Sequence, residues 1–259
     1  MESQDLLKEV KGHVMYLTLN RPERLNAFSP EMIASLKQSL IEAEYDEKIR
    51  VIVLKGAGRA FSAGGDVKRM GKRDSLGTYK YLGKLNELIL QMHQLEKPII
   101  AAVHGYAAGA GFNLALASDM ILSSSDCKFI LSFSKVGLIS DGGGLYFLPK
   151  LVGPYIAKEL FFRAEPISAE RAYHLGIINR VYEPETFSGE VERFANEIAV
   201  GPGIAYGFIK KLTNLSMTSG LAELLEQERI TQATVVTTKD HQEGIQAFKE
   251  KRQPRFGKK

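Results

Sequence analysis

The sequence predicts a protein of the α/β class, with an α/β core and a helical C-terminal region. Two observations lead to this prediction. Up to about residue 185, short apolar runs typical of buried strands alternate with segments in which apolar residues recur at helical spacing. From Glu185 onward the pattern is helical throughout. We therefore divide the chain into a core at residues 1–196 and a helical oligomerisation region at residues 197–259.

The first predicted elements are a strand, a helix and a second strand. Val14–Leu19 is apolar and rich in residues that favour strands. Ser29 is a good N-cap because its hydroxyl can accept a hydrogen bond from the first helical turn, and Pro30 suits the first helical position. Apolar spacing extends this helix to about Glu44. Ile49–Leu54 is almost wholly apolar, which predicts a strand buried on both faces.

The middle of the core continues this alternation. A helix is predicted from about Tyr81 to Leu95, and a strand follows at Pro98–Val103. Phe112–Ala117 is predicted to be a buried helix, and Met120–Ser123 and Lys128–Ser132 are predicted to be short strands. Residues 81–132 therefore belong to the predicted α/β core.

The end of the core leads into the helical region. Asp141 precedes three glycines and Leu145–Leu148, where it could serve as a helix N-cap. A capped helix is predicted at Ser168–His174 and a last strand at Ile177–Val181. Further helices are predicted at Phe187–Ala199, Ile204–Leu215, Ala222–Thr237 and Gln242–Lys251.

Two turns of very small residues each follow a buried strand: Gly56–Asp66 (GAGRAFSAGGD) and Ala107–Gly111 (AAGAG). Because Ala63, Gly64 and Gly65 of the first turn and all residues of the second have almost no side chain, a ligand can contact their backbone N–H groups. The second turn opens a helix, whose first N–H groups have no partner within it. The turns can thus converge on one negatively charged ligand atom; alternatively, they are only tight turns beside a packed helix.

The charge and cysteine content exclude several kinds of protein. The 34 basic and 30 acidic residues give a net charge of +4, too balanced for a nucleic-acid binder. A single cysteine, Cys127, excludes an internal disulfide and a cysteine metal cluster, and the five histidines lack metal-ligand spacing. No apolar run suits a signal peptide or the roughly 20 residues of a membrane span. We therefore expect a cytoplasmic protein with no metal and no membrane partner.

Six segments, taken in order, form a pattern that spans nearly the whole chain: Asn20–Ser29, Ala60–Val67, Lys97–Asp119, Phe129–Lys150, Ala169–Val181 and His241–Phe256. This pattern resembles the crotonase superfamily of enoyl-CoA hydratases and isomerases. The resemblance implies a spiral of ββα units, followed by C-terminal helices that build trimers, often stacked as hexamers.

The resemblance also implies a site for an acyl-CoA thioester. In this family two backbone N–H groups hold the thioester oxygen, and the matching positions are Gly65 and Ala110. Coenzyme A belongs to the substrate, so no separate cofactor is implied. The positions that match the family's CoA contacts are Arg24, Leu25, Ala63, Asp66, Phe248 and Lys251. Of these, Asp66 has an alternative interpretation as a residue that stabilises its turn.

The chain departs from the hydratases of this family at both catalytic glutamates. Aligned on the turns, these fall on Asn113 and Phe133, neither of which can accept a proton. Asp141 remains, at the position where the family's enoyl-CoA isomerases and ring-opening isomerases of phenylacetate breakdown carry their working aspartate. One carboxylate can move a proton between two carbons, whereas hydration needs a water held by additional groups.

We therefore predict an enoyl-CoA double-bond isomerase with Asp141 as its acid–base, in fatty-acid or phenylacetate-type catabolism. Two alternatives stay open: an enoyl-CoA hydratase or other lyase of the family, and a noncatalytic or RNA-associated protein. The presence of Gly65, Ala110 and Asp141 argues against the last of these. Burial would raise the pKa of Asp141 and a helix N-terminus would lower it, and the sequence leaves both open.

Overall fold

We describe the protein from a computed structural model, in which residues 4–66 and 74–257 are described. Its larger sheet has parallel strands except for the antiparallel pair at one edge. In spatial order the strands are β1 (Leu6–Lys11), β2 (Val14–Leu19), β3 (Val51–Gly56), β4 (Ile99–Val103), β6 (Met120–Ser124) and β9 (Arg180–Tyr182). A smaller sheet joins β5 (Tyr106–Ala108), β7 (Lys128–Ile130) and β8 (Ile167–Ser168).

Two helices begin after the N-caps predicted for them, Ser29 and Ser168. Ser29 accepts a hydrogen bond of 3.0 Å from Met32 N, with Pro30 next to it in the first helical turn. The helices are α1 (Pro30–Tyr45), α2 (Ser75–Gln94), α3 (Ala110–Leu116), α4 (Gly144–Arg163), α5 (Ala169–His174), α6 (Pro184–Ala199), α7 (Gly203–Ser216), α8 (Leu221–Val235) and α9 (Lys239–Lys249).

The central strands of the larger sheet are buried on both faces, as the apolar run of β3 predicted. Ile52 and Leu54 point into the main core, which they share with α1, α2, α3 and the smaller sheet. Val51 and Val53 point to the opposite face, where they pack with Val191 and other small side chains of α6. This packing follows from the pleat, since successive side chains of a strand point to opposite faces.

Several elements differ from the sequence prediction, among them the short strands β5 and β8, which were not predicted. Helix α2 begins at Ser75 rather than at Tyr81, because its first turns are exposed and carry little apolar periodicity. Helix α4 continues far beyond the predicted Leu145–Leu148, and Gly153, with φ 78° and ψ 161°, interrupts its helical geometry. Strand β1 was not predicted, because only its Leu6 is buried and it lacks an alternating apolar pattern.

The C-terminal helices differ in how firmly they attach to the sheet. Lys210 of α7 is 9% exposed, and its Nζ lies 2.8 Å from Asp119 Oδ2 at the start of β6. By contrast, α8 has no buried residue. The division into residues 1–196 and 197–259 remains a prediction. In the described part of the chain, no helix is long and apolar enough to cross a membrane.

Candidate active site

The two small-residue turns are in direct contact. Gly64 has φ 78°, and a Cβ atom built on it would lie 2.7 Å from Ala110 N and 2.8 Å from Gly111 N. The turns are also joined by a hydrogen bond of 2.8 Å from Ala108 N to Ser62 O. Gly111 fits only as glycine, since a Cβ there would lie 2.5 Å from Ser62 O. The backbones of the two turns therefore approach too closely for side chains between them.

Two backbone N–H groups border this contact. Ala110 is the first residue of α3, after the N-cap Gly109, so its N–H has no acceptor within the helix. Within the residues that the structure describes, the N–H of Gly65 also has no hydrogen-bond acceptor in the backbone. Both groups can donate to an oxygen atom of a ligand that lies against the turns.

Asp141 lies in the loop that precedes α4. Helix α4 begins at Gly144 with Gly143 as its N-cap, and no side chain caps it. The prediction that Asp141 could be the N-cap of this helix is therefore wrong. Its Oδ1 atom is buried and, in the described part of the chain, has no hydrogen-bond partner. The carboxyl is thus neither a cap nor a member of an ion pair among those residues.

Burial determines the protonation of this carboxyl. It raises the pKa of Asp141 from its usual 3.8 to about 6, while a hydrogen bond from its own backbone lowers the pKa by less. Charged side chains make no contribution to this shift among the described residues. Of burial and a helix N-terminus, the two opposing influences on the pKa of Asp141 that the sequence left open, burial is the larger. A carboxyl with a pKa near neutrality can both accept and return a proton.

Apolar side chains surround the loop of Asp141. A Cβ built on Gly142 would lie 3.5 Å from Leu85 of α2, and one built on Gly143 would lie 3.5 Å from Ile89 of the same helix. Neither helix residue was predicted to belong to the site, because only the fold brings α2 over this loop. Leu85 and Ile89 therefore contribute apolar surroundings to the loop whose carboxyl has its pKa raised by burial.

Asn113 and Phe133 are the residues that align with the two hydratase glutamates. Asn113 is fully buried in α3, and its amide donates to Ser140 Oγ and to the backbone oxygen of Asp141. Phe133 is 8% exposed, and its ring lies 3.7 Å from the Cβ position of Gly109. Asn113 therefore contacts the loop of Asp141 and Phe133 lies against the turn at Gly109, and neither side chain is a carboxylate.

Four of the predicted CoA contacts lie together beside Gly64. Arg24 Nη1 lies 3.2 Å from Asp66 Oδ2, and Ala63 N donates a hydrogen bond of 2.8 Å to Leu25 O. The Asp66 carboxylate therefore holds the loop of Arg24 against the turn, which supports the structural interpretation of its side chain.

Phe248 and Lys251 lie elsewhere within the chain. Phe248 is 86% exposed on α9 and borders a cavity whose lining residues all come from residue 202 onward. Lys251 follows α9 and is exposed, with φ 53°. A single chain therefore does not bring these two residues together with the turns at Gly64 and Ala110.

We expect Asp141→Asn to stabilise the protein at neutral pH. The folded state binds the proton of Asp141 more tightly than the unfolded chain, so stability falls as pH rises from about 4 to about 6 and the loss persists above that. A pKa shift of this size changes the free energy of unfolding by about 1–3 kcal/mol, once partial solvent access to the carboxyl is allowed for. Urea unfolding of both proteins at about pH 4 and about pH 8 measures the difference.

The control is Glu197→Gln, a carboxyl-to-amide exchange on the exposed surface of α6. Its effect on the free energy of unfolding should be small and nearly the same at both pH values. If Asp141→Asn gained no stability at the higher pH relative to the lower, burial would not be raising the pKa of Asp141.

Comparison with known proteins identifies the family. A sequence profile described as enoyl-CoA hydratase/isomerase matches residues 9–259. The chain is 40% identical over 256 residues to 1,2-epoxyphenylacetyl-CoA isomerase from Escherichia coli, with 97% of each chain covered. It is 31% identical over 253 residues to short-chain-enoyl-CoA hydratase from Clostridium acetobutylicum, again with 97% of each covered.

The fold is shared with solved structures as well. A crystal structure of an enoyl-CoA hydratase from Polaromonas sp. JS666 has a TM-score of 0.94 and 34% sequence identity, covering 97% of this chain and 99% of that chain. This similarity confirms the predicted α/β fold of the crotonase type. The profile match, the relatives and the shared fold agree, and the chain belongs to the enoyl-CoA hydratase/isomerase family.

Proposed function

We propose that this protein is an acyl-CoA double-bond isomerase in which Asp141 is the only acid–base group. The observation that supports this proposal most strongly is a carboxyl with a pKa of about 6 in apolar surroundings, with Asn113 and Phe133 at the two hydratase positions. Such a site has one group that can move a proton and lacks the usual pair that activates water.

The proposed reaction uses these groups in two steps. The thioester oxygen of a 3-enoyl-CoA accepts hydrogen bonds from the N–H groups of Gly65 and Ala110. The Asp141 carboxylate removes a proton from C2, and the electron pair of that C–H bond delocalises into a dienolate whose negative charge rests on the thioester oxygen. Asp141 then returns the proton to C4, so the double bond moves into conjugation and the composition is unchanged. The two donors favour the dienolate over the ground state because the charge develops on the oxygen they hold.

The loop of Arg24 and Leu25, together with the backbone of Ala63 and Asp66, is our proposed CoA contact. Arg24 contributes a positive charge near the CoA phosphates, where charge pairing suffices for binding. Coenzyme A enters as part of the substrate, and the proposed proton transfer needs no further cofactor.

We propose that Phe248 and Lys251 complete the CoA site of a neighbouring copy, since they lie away from the turns of their own chain. Exposed apolar side chains support such an assembly: Ile139, Tyr155, Phe162, Leu221 and Phe248 are each at least 74% exposed. Surfaces of this kind are usually covered by a partner.

We expect trimers or hexamers of the full chain in solution. Burial of the exposed apolar side chains of α4, α8 and α9 provides the driving force, and closed symmetric assemblies are the usual outcome for identical chains. Static light scattering at micromolar concentration measures the mass directly. A monomer under these conditions would contradict the proposed assembly and the shared CoA site.

The experiment that tests the function is a spectrophotometric comparison of three CoA esters: a linear 3-enoyl-CoA, a linear 2-enoyl-CoA and a cyclic unsaturated ester. We expect formation of a conjugated thioester from a 3-enoyl substrate and little hydration of the 2-enoyl ester. The cyclic ester is included because one relative is named for a cyclic epoxide of phenylacetyl-CoA.

Each other outcome favours a different alternative. Hydration of the 2-enoyl ester at a rate comparable to isomerisation would favour the hydratase, the name carried by another relative. If none of the esters reacted and none raised the melting temperature, a noncatalytic role would be favoured, because a ligand that binds only the folded state must stabilise it.

A further inference from the structure

Asn113 connects the two halves of the candidate site. It belongs to α3, one helical turn after Ala110, whose N–H is a proposed donor to the thioester oxygen. Its Nδ2 donates hydrogen bonds of 2.9 Å to Ser140 Oγ and 2.7 Å to the backbone oxygen of Asp141. Helix α3, which supplies the N–H group of Ala110, therefore also holds the loop that carries the Asp141 carboxyl.

The orientation of this amide is fixed. The backbone oxygen of Asp141 can only accept, so the nitrogen of Asn113 must face it. The Oδ1 atom of Asn113 lies against Gly144, where a Cβ would overlap with both that oxygen and Ser140 Oγ. Among residues 4–66 and 74–257, Oδ1 has no hydrogen-bond partner. The amide of Asn113 therefore donates two hydrogen bonds while its own oxygen accepts none in this part of the chain. A buried acceptor without a partner lowers the stability of the folded state.

Few contacts other than those of its own backbone orient the Asp141 carboxyl. Its Oδ1 atom has no partner in the described part of the chain. Leu85 and Ile89 of α2, which lie against its loop, are apolar and offer no hydrogen bond. The direction of the carboxyl is therefore set mainly by its backbone, and that backbone is held by Asn113 and by Gly144 N, which donates to the same oxygen at 3.1 Å.

We propose that Asn113 is a positioning residue for the acid–base, and that the amide at this position excludes a hydratase-type carboxylate. The inference rests on the proposed function of Asp141 and adds the group that determines which reaction the site can perform. A carboxylate at position 113 would set an oxygen against the backbone oxygen of Asp141 and release the loop. It would also add a negative charge beside Asp141, which makes ionisation of that carboxyl harder.

The direct test is Asn113→Asp, which replaces the donating amide by a carboxylate of nearly the same size. We expect kcat to fall about 10- to 100-fold, because a misplaced catalytic group costs rate rather than binding, while KM stays within a few-fold. The pH at which the rate is half-maximal should rise by about one unit, owing to the added charge. The shifted midpoint would show that position 113 lies beside the carboxyl, and the fall in kcat at nearly constant KM would show that the amide positions it.

The matched control is Asn196→Asp in α6, where the exposed amide donates to Glu192 O. It makes the same chemical exchange away from the site and should leave kcat, KM and the pH midpoint within twofold. If Asn113→Asp also kept kcat within threefold and left the midpoint unmoved, the proposed role of Asn113 would be overturned.

Two further measurements separate this inference from the proposed function and from misfolding. Infrared titration of the Asp141 carboxyl, identified by its loss in Asp141→Asn, should show a higher pKa in Asn113→Asp even if the wild type isomerises no ester tested; an unchanged pKa overturns the inference. If Asn113→Asp does not fold, Asn113→Ala replaces it, and a kcat about tenfold lower at similar KM supports the role. A kcat within twofold of wild type refutes it.

Discussion

Asp141→Asn is expected to lower the turnover of a 3-enoyl-CoA by 10²–10⁴-fold, the usual contribution of a positioned proton-transfer group. The asparagine keeps the shape of the side chain but cannot accept a proton from C2. Because the carboxyl binds no part of CoA in the proposed reaction, acyl-CoA affinity should stay within a few-fold. Steady-state kinetics, with calorimetric titration of a saturated acyl-CoA, measure the two effects separately.

The expected change in the stability of Asp141→Asn separates a loss of catalysis from a loss of folding. Asp141→Asn should be inactive and yet more stable than wild type at neutral pH, since it removes a carboxyl whose ionised form is disfavoured by burial. Loss of activity therefore cannot be attributed to unfolding. A variant that retained more than about a tenth of the wild-type turnover would show that another residue is the base.

Gly64→Ala is expected to lower turnover by about 10²–10³-fold, as the loss of one oxyanion donor does in other enzymes. The added methyl group would lie 2.5 Å from Ala108 O and 2.7 Å from Ala110 N, so the two turns must move apart. The N–H groups of Gly65 and Ala110 could then no longer hold the same oxygen. Turnover of the 3-enoyl ester, measured beside thermal unfolding, reports the effect.

Gly176→Ala is the matched control. Gly176 also has positive φ, 72°, so both exchanges carry the cost of placing alanine in this conformation. A Cβ on Gly176 meets no heavy atom within 4 Å, and the residue is exposed after α5. This variant should lose some stability and keep its turnover. Equal activities of the two variants would contradict the proposed oxyanion site.

The sequence by itself determined the class of the fold and most of its elements. Apolar runs such as those of β3 and β4, and local signals such as Ser29 before Pro30, act over a few residues and are therefore readable without the fold. The same holds for the exposed backbone of the two turns, because glycine and alanine leave N–H groups accessible wherever they occur. The resemblance of the six segments identified the family, which the comparisons confirmed.

Only the tertiary structure decided the state of the site. The contact between Gly64 and Ala110 depends on residues that are far apart in the chain, as does the packing of Leu85 and Ile89 over the loop of Asp141. Asn113 was recognised in the sequence as a residue that cannot act as a base, but no local signal shows that it holds the backbone of Asp141. The pKa of Asp141 could not be predicted because desolvation depends on the side chains that the fold packs around it, and these come from elements distant in sequence.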